Sequence, residues 1–279
     1  MTSTDKTDTV SVRFWGVRGS IACPGEAWSR YGGNTSCVEV SWGDRRLVLD
    51  GGSGLRLLGR TLSESDVDLD LLLTHTHMDH LLGLPFFAPL YTPGNRITIW
   101  AGHLQDTGGV RKVLGEFMAA PLFPVPPTAF VSEVHYVDFQ AGETLTPREG
   151  LVVRTAPLNH PNGATGYRIE CGGKSVCYVT DTEHVIGEPD ASILGLIEGA
   201  DLVIYDATYT DEEFPSHVGW GHSTWQEGVR LCEMGGVGRL VVFHHDPAHQ
   251  DDFMDGVARE AEAMRPGTIV AREGMTLTL

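Results

Sequence analysis

A chain in which one short β-type run after another ends in a residue able to bind a metal has few folds open to it. The runs "RRLVLD", "LDLLLTH", "LVVRTAPLNH", "SVCYVTD", "DLVIYD" and "RLVVFH" close on Asp50, His75, His160, Asp181, Asp206 and His244. Side chains leaving the same edge of neighbouring strands converge, so these residues are expected to surround one point on the loop side of a rigid scaffold. Further β-type runs are "VSVRFWG", "SCVEVSW", "RITIWAG", "TGYRIECGG" and "GTIVAREG". Helical patterns fall between some of them: "GLRLLGRTLSE", "VRKVLGEFMAA", "ILGLIEG", "TWQEGVRLCEMGG" and "DDFMDGVAREAEAM". Both halves show the same pattern, strands in hairpin-like succession and then strands mixed with helices. This predicts two sheets packed face to face with helices outside, an α/β fold of the αββα four-layer sandwich type, in a single domain over residues 1–279.

Three segments are read separately. The polar stretch 1–9 is expected to be a flexible tail without a leader. "LLGLPFFAPL", after the histidines at 75–80, reads as the start of an apolar helix. In 103–130, "GEFMAAPLFPVPPTAF" is apolar and proline-rich, and its prolines forbid one continuous helix. It is a lid, a partner surface or a core insertion.

The chemistry concentrates in "THTHMDH", residues 74–80. His75 and His77 alternate with Thr76, so in extended backbone both imidazoles face one way. Asp79 and His80 follow at a helix start and face a second point nearby. One metal cannot take all four from so short a loop, whereas two adjacent metals can, and such pairs suit hydrolysis. His160, Asp181, and His244 or His245 supply further donors. A set of nitrogen and oxygen ligands without thiolate suits Zn²⁺, with Mn²⁺ or Fe as alternatives.

These motifs resemble the metallo-β-lactamase fold superfamily, and within it the ribonuclease Z-like phosphodiesterase branch. The resemblance runs from about Val12 to the C-terminus. "THTHMDH" matches the signature loop. "NHPNGATGYRIE" followed by "VCYVTDTE" matches a ligand histidine, a Gly-Tyr strand and a bridging aspartate. The resemblance implies that His75, His77 and His160 hold one metal and that Asp79, His80 and His244 hold the other, with Asp181 between them. "IYDATY" and "GHSTWQEG" resemble two branch motifs. Their match makes His222 a proton donor to the leaving oxygen or a phosphate stabiliser, oriented by Asp206. The opening "RFWGVRGSIACPG" resembles a bacterial group of cyclic-nucleotide phosphodiesterase-like metallo-hydrolases. Gly32, Gly33, Asn34 and "LDGGSG" would then support the metal loop. Arg18 and Arg30 would meet a phosphate or serve the surface. His245, Asp246 and His249 would fix ligand tautomers or cap the last helix.

Charge narrows the substrate. With 20 Lys+Arg against 37 Asp+Glu the chain carries −17. Binding long nucleic acid requires a basic face. The transfer-RNA-processing members also carry a long basic, glycine-rich arm that this sequence lacks. The expected function is hydrolysis of a small phosphodiester, foremost a cyclic nucleotide, with Asp79, Asp206 and His222 in catalysis and Phe117 and Phe123 beside the base. The alternatives are a lactonase on the same metals, with Tyr209 polarising the carbonyl, and a metal-binding sensor without turnover. The five dispersed cysteines and the absence of a long apolar run predict a cytoplasmic protein with reduced thiols and no membrane partner. A homodimer is compatible with this reading.

Overall fold

The computed structural model describes residues 9–62 and 66–279. The tail expected at 1–9, Thr9 apart, lies outside the described residues, as do Ser63 and Glu64 of the helix expected at 54–64.

The first sheet is built from β1 (Val10–Gly16), β2 (Cys37–Trp42), β3 (Arg45–Leu49), β4 (Asp68–Leu73), β5 (Arg96–Ala101) and β6 (Glu133–Asp138). The second holds β7 (Thr144–Arg148), β8 (Leu151–Leu158), β9 (Ala164–Cys171), β10 (Lys174–Val179), β11 (Leu202–Asp206), β12 (Arg239–Phe243) and β13 (Ile269–Val270). The last strand, β14 (Thr276–Thr278), returns to pair with β1, so the orders are β14-β1-β2-β3-β4-β5-β6 and β13-β12-β11-β10-β9-β8-β7. The two halves share a pairing scheme. Counted from β14 and from β7, three antiparallel pairings are followed by three parallel ones.

Strand alternation makes the layers. On β3, Leu47 and Leu49 enter the core between the sheets, where Val12, Phe14, Tyr167, Ile169, Tyr178 and Phe243 also pack. Val48 points outward to the layer under α1 (Leu55–Thr61) and α2 (Val110–Phe117). On β11, Leu202 and Ile204 face inward while Val203 and Tyr205 face outward, beneath α3 (Ala191–Ile197), α4 (Trp225–Met234) and α5 (Asp251–Met264). Period-2 burial on both faces is what a sheet covered on both sides requires. The result is the four-layer αββα sandwich.

Some expectations needed correction. "LLGLPFFAPL" forms no α-helix; 3₁₀ turns at Leu84–Phe86 and Ala88–Tyr91 replace it, each with a proline in its first turn. Pro85 and Pro89 lack the N–H that a continuing helix needs. Strands β6, β7 and β14 carry little local signal, because β6 and β7 alternate weakly and are half exposed, and β14 has three residues. Within 103–130, α2 packs on β5 and β6, and an irregular proline-rich segment follows with Leu122 exposed. Among the described residues no helix is long and apolar enough to cross a membrane.

Candidate metal centre

The loop after β4 turns the chain so that four side chains leave it at one place. His77 is extended, and a 3₁₀ turn over Met78–His80 follows it. Asp50, just past β3, fixes this loop from the neighbouring strand. Its carboxylate accepts from the Thr74 backbone N–H (2.8 Å), the Thr74 hydroxyl, His80 Nδ1 (2.8 Å) and the Tyr178 hydroxyl (3.0 Å). With Nδ1 of His80 donating to Asp50, its Nε2 is the nitrogen turned toward the cluster, where a cation would take the place of its proton. A carboxylate behind a histidine sets the ring's tautomer and aim in this way. The Thr74 and Thr208 hydroxyls lie 3.1 Å and 3.0 Å from Nδ1 of His75 and His244 respectively.

The second sheet supplies the facing donors. Asp181 divides its carboxylate between two groups. Oδ1 lies 3.7 Å from His75 Nε2 and 3.9 Å from His160 Nε2, while Oδ2 lies 3.2 Å from His80 Nε2 and 3.3 Å from His244 Nε2. Asp79 Oδ2 joins the latter group, 3.3 Å from His80 and 3.4 Å from His244. His77 joins the former, its Nδ1 lying 3.0 Å from His160 Nε2. Within His75/His77/His160, and within Asp79/His80/Asp181/His244, the donor atoms lie within 4.8 Å of one another.

Asp50, Asp181 and His244, each just past a strand, have φ of 61°, 60° and 62°. Left-handed backbone costs a non-glycine residue about 1–2 kcal/mol. Such strain persists where the surroundings over-determine a functional position. Gly19 makes room here, since a Cβ on it would lie 2.6 Å from the His244 ring.

Two observations show that these residues fit metal ions. The buried Nε2 atoms of His75, His80 and His244 have no hydrogen-bond partner, an expensive arrangement unless a cation takes the lone pairs. The electrostatics also call for positive charge. Burial lowers the His75 pKa well below the ordinary value, and His80 adds to the effect. At His80 burial acts in the same sense, yet Asp181, Asp79 and Asp50 overcome it and hold the pKa well above the usual value. The cost of burying the Asp181 carboxylate is outweighed by His244, His80 and His75, which hold its pKa well down.

Beside this cluster His222 Nδ1 lies 3.0 Å from Asp206 Oδ2. Asp206, fully buried at the end of β11, also accepts from the backbone N–H of Thr182 and from the N–H and hydroxyl of Thr208. Burial disfavours charge on His222, but Asp206, followed by Asp181 and Asp79, raises its pKa to about 9.

Other residues singled out in the sequence have partners of their own. Arg18 is buried and donates to the carbonyls of Gly32, Asp246 and His249, so it ties loops together and is not free for a phosphate. Arg30 pairs with Asp251, Asp252 and Asp255. His245 bonds the Ala271 carbonyl, Asp246 accepts from the Ala248 N–H, and His249 bonds Glu213. Those side-chain bonds go to residues outside the histidine–aspartate cluster, whereas Thr74, Asp50 and Thr208 are the groups that meet Nδ1 of His75, His80 and His244. Phe117 is drawn into the apolar layer outside the first sheet, and Phe123 sets its ring edge-on to Phe86. Tyr209 stacks on His217 at 4.2 Å and meets His222 edge-on at 6.2 Å. Asp50 was visible in the sequence only as one more strand-end carboxylate, whereas nothing in the sequence signalled His184, which bonds Ser223 Oγ at 2.8 Å.

A four-layer αββα sandwich with a histidine–aspartate cluster at the strand ends is the metallo-β-lactamase fold. Residues 45–245 match the family described as the beta-lactamase superfamily domain, and the chain belongs to that family. Among curated relatives it is similar to the ribonuclease Z of Bradyrhizobium sp. (strain ORS 278), 27% identical over 89% of this chain and 91% of the relative. Among solved structures it is similar to the metallo-beta-lactamase fold protein YhfI from Bacillus subtilis, with TM-score 0.75 and 21% identity over 98% of this chain and 100% of the other. It is also similar to a diphosphatase from the PhnP family, with TM-score 0.70 and 21% identity over 97% of both chains.

Proposed function

We propose that this protein is a metal-dependent hydrolase of small phosphodiesters, foremost cyclic nucleotides. The observation that carries this reading is the split carboxylate of Asp181, which faces two separate donor groups, with the His222–Asp206 pair alongside. On this reading His75, His77 and His160 hold one Zn²⁺, Asp79, His80 and His244 hold a second, and Asp181 lies between them. Bound there, the ions would supply Lewis acidity toward the phosphate oxygens and a water acidified to near neutrality.

The remaining steps belong to the chain. Asp50, Thr74 and Thr208 keep the imidazoles aimed. Asp206 holds the His222 Nδ1 proton and orients the ring, so that Nε2 can give a proton to the departing oxygen. An alkoxide leaves slowly until it is protonated, which is where a charged imidazole has its effect. The relative named ribonuclease Z supports phosphodiester chemistry. The net charge of −17 favours a substrate with few phosphates over a long RNA. Five buried, dispersed cysteines agree with a reducing, cytoplasmic setting.

The test is a zinc-replete screen that starts with bis(p-nitrophenyl) phosphate and proceeds to cyclic mono- and dinucleotides, a precursor transfer RNA and a homoserine lactone. Turnover of cyclic nucleotides with negligible RNA cleavage is expected. Lactone hydrolysis without phosphodiesterase activity would overturn the reading.

A further inference from the structure

Two residues past Asp181, Glu183 meets the loop that carries His222. The Gly219 N–H donates to both of its carboxylate oxygens, at 3.0 and 2.8 Å, and the Gly221 N–H donates to Oε2 at 2.8 Å. Glu183 is itself anchored beside His160, because its N–H donates to the Asn159 carbonyl and the Asn159 amide donates back to its own carbonyl, both at 2.8 Å. Gly221 then closes a chain of contacts. Its carbonyl lies 2.7 Å from His160 Nδ1. A carbonyl only accepts, so Nδ1 carries the hydrogen and Nε2 is left as a lone pair toward the cluster. One glycine thus donates to Glu183, accepts from His160 and precedes His222. No other residue fits there, since φ is +82° and a Cβ would lie 2.4 Å from His160 Nδ1.

We propose that Glu183 is a positioning residue, a latch that holds the loop 217–222 against His160 and so sets the aim of a metal donor and of the proton donor together. The part concerning His160 rests on the metal assignment of the proposed function, and the part concerning His222 on its phosphodiester chemistry as well.

The test uses the full chain with Glu183→Ala and Glu183→Gln. In the alanine variant, amide exchange at Gly219 and Gly221 should rise while β8–β12 stay protected. Zinc affinity by chelator competition should fall about 10–100-fold, the usual loss when a ligand's supporting partner is removed. Its kcat should fall more for alkyl than for p-nitrophenyl leaving groups. The glutamine variant should recover part of each effect, because its one carbonyl oxygen can accept from both glycines. Unchanged exchange and zinc affinity in the alanine variant would overturn the latch, and so would exchange rising uniformly through the second sheet. A wild-type protein that turns over no phosphodiester would instead sink the functional reading, with the exchange and zinc measurements still deciding the latch.

Discussion

The fully buried Asp206 and the partly buried His222 form a pair in which the carboxylate Oδ2 lies 3.0 Å from the imidazole Nδ1. Their mutual effect has a definite sign. Burial pushes the His222 pKa down and Asp206 more than reverses this, reaching about 9. At Asp206 burial pushes the carboxyl up, and His222 holds it below its ordinary value.

In metal-free protein His222 should therefore titrate near 9 by NMR. A pKa raised above its unfolded value contributes stability that is fully present below about 6.5 and is lost as pH rises through the folded value. Urea unfolding of the metal-free protein at pH 6 and pH 10 should show that loss, and Asp206→Asn should remove the part that comes from His222. In the zinc-loaded enzyme His222→Ala should keep its metal and lose about 10²–10⁴-fold in kcat on alkyl esters, with a smaller loss on p-nitrophenyl esters. Loss of metal would show that His222 belongs among the ligands.

Metal content follows from Asp181. Protein purified without chelator should hold two zinc ions per chain, and Asp181→Ala should weaken both sites together. A ligand present at a hundred times its Kd adds about 2.7 kcal/mol. Stripping it should lower Tm by about 5–10 °C in a domain of this size. A reproducible content of one ion with full activity would refute the paired site.

Asp50 touches no proposed metal position, yet its loss should be severe. Asp50→Ala leaves His80, Thr74 and Tyr178 without their shared acceptor in a buried place. Removing one member of a buried charged pair costs about 3–5 kcal/mol. Denaturant titration of the metal-free variant should show a drop of that order, and the loaded variant should lose zinc from the His80 site first.

The two phenylalanines expected beside a base should now behave differently. Phe117 belongs to the apolar layer outside the first sheet, so Phe117→Ala should lower Tm with little change in KM. Phe123 lies against Phe86, which is 56% exposed, so Phe123→Ala should raise KM for a cyclic nucleotide more than for bis(p-nitrophenyl) phosphate. Equal KM changes in the two variants would remove the segment 103–130 from substrate binding.

The layers and the converging donors were legible because each depends on local pattern. β1 at Val10–Gly16 and α5 at Asp251–Met264 match runs that the alternation and the 3.6-residue period mark off by themselves. His75, His160, Asp181, Asp206 and His244 stood out because each follows an apolar run. What stayed hidden depends on register between distant segments. Glu183 meets Gly219 across 36 residues, and His80 meets Asp50 across 30. Arg18 read as a surface or phosphate residue because nothing local reveals that three carbonyls from 14 to 231 residues away close around it.

The division of donors between the sheets bears on how such a protein matures. His75, His77, Asp79 and His80 follow β4 of the first sheet, whereas His160, Asp181 and His244 follow β8, β10 and β12 of the second. A growing chain emerges N-terminus first, so on the proposed assignment the first half emerges with a partial donor set that can take up a cation only loosely. The donors of one site are all present once β10 has been made and Asp181 follows it, whereas the second site is complete only once β12 has been made and His244 follows it. Zinc capture then reports that both halves have come together, and a chain stalled before His244 would hold metal at one site only and remain open to proteolysis.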